Sequence, residues 1–240
     1  MPLGPGHRFP ACQVTTLVTA TAVLRLVADD AVALDDPVNG YLRSLRLADD
    51  TITVRELLAH TGGVDSPPSL SLWADSVGDV SGVLGPTAGC SGPRGEFAYS
   101  DGGYAVLGQL ITDLTGTPVA QAATRLVLEP LGMGDSWFPA QAPALPTLLS
   151  KDVVCGYRLE EDGSLVREPP RVFALQSAGG LWSTRAGPGP ASGPDGGRCC
   201  LPNSPSRRCA RSSPQREPAD ETGLGWRRPP AVIDVAVMAG

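Results

Sequence analysis

The chain has 240 residues, 42% hydrophobic and 18% charged, with 29 Gly and 24 Pro. That is enough apolar material for a buried core, while the Gly and Pro content argues for many loops and against long uninterrupted helices. The balance of 19 basic and 25 acidic residues argues against a dedicated nucleic-acid binder, and no apolar run reaches the roughly 18 residues of a membrane span.

In chain order, MPLGPGHRFPAC lacks the apolar stretch of a signal peptide, which as written implies a cytoplasmic location. Val14, Leu17, Val18, Ala22, Leu24 and Val27 then recur at helical spacing and predict a helix with a broad apolar stripe. In TITVRELLAHTGG, Thr53 and Glu56 stand at capping-box spacing and Gly62–Gly63 are the expected stop. GYAVLGQLITDLTG predicts a helix with Tyr104, Leu107, Ile111 and Leu114 on one side and Gly116 at its end. Thr117 and Pro118 offer an N-cap and a first-turn proline for VAQAATRLVL. Gly156–Leu159 and Leu165–Val166, flanking Asp162–Gly163, read as a hairpin. The order is helices first and strands late, with no internal repeat.

Charge divides the chain near residue 184. Residues 1–184 hold 11 basic and 20 acidic residues, net −9, and residues 185–240 hold 8 and 5, net +3. Between Arg185 and Pro218, Leu201 is the sole large apolar residue. Such a segment cannot offset its ordering entropy by burial, so disorder is expected there. Its Arg207–Arg208 pair reads as part of a solvated tail in preference to an anion-binding arm. The closing AVIDVAVMAG regains apolar character and is compatible with one strand. Six cysteines without a C-x-x-C pair, and only two histidines, point to scattered free thiols and away from a zinc site. Lys151 is the only lysine, so any chemistry that requires an amine has one candidate.

Several segments, in order, carry a resemblance: TLVTATAVLRLVADDAVALDDPVNGYL, ITVRELLAHTGGV, FAYSDGGYAVLGQLITDLTG, LEPLGMGDSWF, GYRLEEDG and SAGGLWST. Together they resemble the serine β-lactamase and penicillin-binding-protein superfamily, in its class C β-lactamase, D-alanyl-D-alanine carboxypeptidase and esterase branch, from about residue 9 to residue 184. The resemblance implies an α/β (α+β) fold of the β-lactamase/transpeptidase type, here with its helical domain largely present and its antiparallel sheet incomplete. On this basis residues 1–184 are a partial hydrolase domain, 185–222 a disordered segment and 223–240 a short remnant.

The family's chemistry rests on three boxes. S-x-x-K places a serine at a helix N-terminus and a lysine one turn later on the same face, so that the ammonium and the helix dipole favour an alkoxide-like nucleophile. Y-x-N supplies a phenol for proton transfer and an orienting amide. A late [KH]-T-G strand binds substrate and helps to form the oxyanion site. By register, the first box falls on Gln13-Val14-Thr15-Thr16, so Gln13 stands in place of the serine and Thr16 in place of the lysine. The second survives as Tyr99-Ser100-Asp101, with Asp101 for the asparagine: it accepts hydrogen bonds but offers no amide donor and adds a charge. For Tyr99, general base and packed loop tyrosine stand as equal readings. His60-Thr61-Gly62 spells H-T-G but precedes the tyrosine box, which favours a structural role, and no late box follows Gly225-Trp226.

Family members carry a few dozen residues before the first box, against twelve here, and the Arg/Pro/Cys-rich text after Thr184 leads back to a GLGW resembling the family's YGLGW. The latter, with heavy Arg use and a single Lys, leads to the expectation of an out-of-frame translation beyond Thr184. The resemblance implies a serine hydrolase acting through an acyl-enzyme on β-lactams, D-Ala-D-Ala-like peptides or small esters. It implies a small-molecule or peptide substrate, no metal or organic cofactor, no nucleic acid and no membrane span. Without Ser and Lys in the first box, this chain is expected to be inactive. The alternative is a pseudoenzyme binding a peptidoglycan-like ligand or a protein partner. The tyrosine box is expected to face the helix that begins near Gln13, and missing strands predict marginal stability and aggregation.

Overall fold

The computed structural model describes residues 4, 6–68, 72–140, 153–168 and 171–184. The expectations for Lys151, for the 185–222 segment and for the 223–240 remnant with Gly225-Trp226 lie outside the described residues.

A short strand β1 (Arg8–Pro10) leads through one 3-10 turn (Cys12–Val14) into helix α1 (Thr15–Ala28). Strands are therefore not confined to the end of the chain, as the sequence pattern suggested. The buried face of α1 also differs from the predicted stripe. Leu17 is 42% exposed, and the inner face consists of Thr15, Thr16, Val18, Thr19, Ala20, Ala22, Val23 and Leu26. Apolar periodicity misplaced it because threonines can line a core when their hydroxyls find partners. Here Thr19 Oγ1 donates to the Ser177 carbonyl at 2.7 Å, and Thr15 Oγ1 accepts from the Leu181 N–H at 3.1 Å.

Next come β2 (Arg46–Leu47) and α2 (Val54–Leu58). Asn39 fixes the approach to β2, accepting from the Leu47 N–H at 2.8 Å and donating to the Leu47 carbonyl at 3.0 Å. The predicted capping box forms. Thr53 N–H donates to Glu56 Oε2 at 2.8 Å, and Glu56 N–H donates to Thr53 Oγ1 at 3.3 Å. The stop is different: the chain turns at His60, with φ 56°, before it reaches Gly62. Gly63, at φ 65°, is needed for close approach, since a Cβ there would lie 2.4 Å from the Gly92 carbonyl oxygen.

After β3 (Trp73–Ala74), α3 (Val80–Leu84) and β4 (Thr87–Ala88), the long helix α4 (Asp101–Thr115) runs through the core. All its residues from Asp101 to Ile111 are buried, so it is enclosed on every side over this length. Ser100 caps its start, accepting from the Gly103 N–H at 2.9 Å, and Gly116 ends it in the left-handed region. Helix α5 (Val119–Ala123) follows Pro118 and continues as a π turn (Thr124–Leu128). Thr117 is not the cap expected of it, because its hydroxyl lies 3.1 Å from that of Thr115.

The antiparallel hairpin β5 (Tyr157–Leu159) and β6 (Leu165–Arg167) forms as predicted, with Gly163 at φ 81° in its turn. It precedes β7 (Val172–Phe173), α6 (Gln176–Gly179) and β8 (Trp182–Thr184). Sheet structure among the described residues consists of two-stranded pairs: β1–β8, β3–β7 and β5–β6 antiparallel, and β2–β4 parallel. Single bridges from Val153 to Arg8 and from Trp137 to Trp182 widen the β1–β8 pair on both edges. These small sheets match the incomplete sheet read from the sequence.

Helices α1, α4 and α6 meet where Gly108 faces Ser177. A Cβ on Gly108 would stand 2.2 Å from Ser177 Oγ and 2.5 Å from Ser177 Cβ. Overpacking of this kind costs about 1–3 kcal/mol, which exceeds the helix-propensity gain of about 1 kcal/mol. Gly108→Ala should therefore lower the thermal midpoint, and adding Ser177→Gly should restore part of the loss. Equal midpoints for Gly108→Ala and the parent chain would refute this account of the junction.

Candidate functional site

The first box sits at the entrance of α1. The Gln13 side chain is exposed, and Thr16, 2% exposed, donates through Oγ1 to the Gln13 carbonyl at 2.7 Å. Thr15 is fully buried, with its hydroxyl taken up by the Leu181 N–H. Cys12, next to Gln13, adopts a positive φ of 45°, and burial pushes its thiol up from the ordinary value.

The second box is a turn that opens α4. Tyr99 is half-buried and donates its phenol hydrogen to Asp101 Oδ1 at 2.8 Å. Asp101 is only 5% exposed. Desolvation raises its carboxyl above the ordinary range, opposed by the Tyr99 hydrogen bond, and no cation contributes. The Tyr99 phenol is pushed well above its ordinary value, first by burial and then by the hydrogen bond to Asp101 and its charge. Between them, Ser100 donates to the Val64 carbonyl at 2.7 Å, and Ser66 Oγ lies 3.2 Å from Ser100 Oγ.

His60 enters this turn from the end of α2. Its Nδ1 accepts from the Ser100 N–H at 3.1 Å, and its carbonyl accepts from the Ala98 N–H at 2.8 Å. Its ring lies 4.6 Å from that of Tyr99 and 4.7 Å from that of Tyr104, with Phe97 edge-on at 5.8 Å. Because Nδ1 accepts, the neutral ring carries its hydrogen on Nε2, and that buried atom has no hydrogen-bond partner among the described residues. Burial alone lowers the imidazole to about 4. Sequence reasoning saw an H-T-G segment with a structural role but missed this contact, which spans forty positions and leaves no local signal.

The structure thus joins Gln13 to Thr16 and Tyr99 to Asp101, while no hydrogen bond or ring contact links one pair to the other. Nearby, Arg94 spans Glu56, Asp49 and Thr51, and the Arg94 hydrogen bond is the main cause holding the Glu56 carboxyl below its ordinary range.

This helical core, with the Tyr99-Ser100-Asp101 turn at the head of its buried central helix, has the β-lactamase/transpeptidase fold. A β-lactamase family model matches residues 1–186, and the chain belongs to that family. Esterase EstB of Burkholderia gladioli is 34% identical over 167 residues, covering 59% of this chain and 41% of the esterase. The octameric penicillin-binding protein homologue from Pyrococcus abyssi superposes with a TM-score of 0.59 at 28% identity, covering 77% of this chain and 44% of that one. A penicillin-binding protein from Bacillus halodurans gives 0.61 at 25% identity, covering 77% and 57%. The chain spans less than two thirds of each of these relatives.

The state of His60 has a measurable consequence. The folded protein keeps the ring neutral, whereas the unfolded chain takes up a proton below the ordinary value of 6.5. Its contribution to stability is therefore complete above that value and is lost as pH falls toward 4, by as much as about 3 kcal/mol. Asp101, raised in the fold, acts in the opposite sense. Chemical denaturation between pH 7 and pH 4 should show falling stability with a slope that flattens in His60→Gln. An unchanged slope in that variant would exclude His60 as its source.

Proposed function

We propose that this chain is a non-acylating member of the β-lactamase-like serine hydrolase family. The observation that carries the reading is the hydrogen bond from Thr16 Oγ1 to the Gln13 carbonyl, in the place where the family's catalysis requires an ammonium beside a serine hydroxyl. The Gln13 carboxamide is no acyl-transfer nucleophile, because its nitrogen lone pair is delocalised into the carbonyl. Thr15 and Thr16 carry hydroxyls, but both are buried and hydrogen-bonded. Tyr99 does not replace the missing base, since its phenol donates to Asp101 and holds its proton far above neutral pH. Inherited substrate classes, β-lactams, D-Ala-D-Ala-like peptides and small esters, describe what such a site takes when its boxes are complete.

A second reading, a pseudoenzyme that binds a peptidoglycan-like ligand or a protein partner, is supported by the fully capped and hydrogen-bonded Tyr99–Asp101 turn. A cooperative melt raised by an acylated D-Ala-D-Ala peptide would be its mark.

Intact-protein mass before and after incubation with benzylpenicillin tests the main proposal, with circular dichroism on the same sample to establish folding. Folded protein should keep its mass. One acyl adduct mapped by peptide analysis to residues 13–16 would overturn the proposal and assign the nucleophile to Thr15 or Thr16.

A further inference from the structure

We propose that His60 is the positioning residue of the Tyr99–Asp101 pair, holding the turn through its carbonyl and Nδ1 and setting the plane of the phenol with its ring. Three independent contacts from one residue converge on three consecutive positions. The carbonyl takes the Ala98 N–H at 2.8 Å, Nδ1 takes the Ser100 N–H at 3.1 Å, and the ring lies 4.6 Å from Tyr99, which stands between them. With both flanking N–H groups fixed on the same residue, the Tyr99 backbone cannot rotate without breaking one bond, and its side chain meets a flat surface. The phenol hydrogen is thereby aimed at Asp101 Oδ1. A positive φ of 56° makes these contacts simultaneous, at a cost that a non-glycine residue bears only where its surroundings enforce it.

The device does not depend on whether the chain acylates, because it concerns the second box and not the first. It depends on an uncharged ring. Protonated Nδ1 would present a hydrogen to the Ser100 N–H, which is a repulsive donor–donor contact. The titratable groups packed on the ring are Tyr99 from the turn and Tyr104 from α4, and Glu56 from α2 lines the same small cavity. Glu56 is engaged by Arg94 and Thr53, and Asp101 by Tyr99. Burial alone displaces the imidazole, to about 4, so no carboxylate compensates a charge on it.

The test uses the whole chain, labelled with ¹⁵N and with ¹³C-tyrosine. At pH 7 the Ser100 amide nitrogen and His60 Nδ1 should show a through-hydrogen-bond coupling that disappears as His60 titrates. In His60→Ala, the Tyr99 Cζ resonance should move toward that of the exposed Tyr157, which serves as the internal control. His60→Asn should leave it between the His60→Ala and parent positions, because Asn tolerates positive φ and offers Oδ1 to the Ser100 N–H but has no ring to face the phenol. A purely space-filling His60 would lower the melting temperature in both variants and leave Tyr99 Cζ unmoved in both; that result overturns the proposal. The coupling is measured on the parent protein, so its absence at pH 7 overturns the proposal even where His60→Ala fails to fold.

Discussion

The fold depends on a close approach at one point. Helix α6 can lie against α4 only because Gly108 has no side chain where Ser177 comes in, and α6 then presents its carbonyl to Thr19 and the following Leu181 N–H to Thr15. These two bonds join the start of α1 to residues more than 150 positions away, and the chain between Leu181 and Thr184 continues into the pairing with β1. One glycine therefore places the enclosed helix, the head of α1 and the best-supported strand pair. Buried hydroxyls in such a junction must find acceptors and donors, and the backbone of α6 and β8 supplies them. The position of the helix is specified more narrowly than apolar packing alone would achieve.

Charge is handled in two ways around the Tyr99–Asp101 turn. At the surface, Arg94 gathers Glu56, Asp49 and Thr51 around one guanidinium, and Glu56 also closes the cap of α2. Solvent screens that network, so it organises the loop more than it stabilises the protein. Inside, Asp101 has a phenol for its partner and no cation, at a helix N-terminus whose dipole favours a negative group. An asparagine at this position would exert no such pull on Tyr99. In the reading proposed above, the aspartate favours a phenol that keeps its proton.

What could be read from the sequence was local. Thr53 and Glu56 declare a capping box within four residues, Gly116 a left-handed end, and Asp162–Gly163 a hairpin turn, and all three hold. The ordered motifs were also sufficient for the fold class. Two of the failures share a cause, since each was decided by a partner far along the chain. Apolar spacing put Leu17 on the inner face of α1 and passed over Thr15 and Thr19, whose partners lie beyond residue 176. Gly62 looked like the stop of α2, yet the turn came at His60, which a ring contact and two hydrogen bonds from residues 98–100 hold in place. The third was local: Thr117 turned its hydroxyl back to Thr115, and Pro118 stands at the N-cap of α5.

The hairpin of β5 and β6 stands apart from this economy of distant contacts. Its six strand residues are exposed, and its ion pairs, from Arg158 to Glu160 and Glu168, close within itself. Its strand ladder and its Gly163 turn are formed within the hairpin itself. Exposed loop tips with small or polar residues are where insertion and cleavage are best tolerated. The Asp162–Gly163 tip is thus the natural position for an epitope or a fluorophore, placed where its attachment leaves the helical core undisturbed.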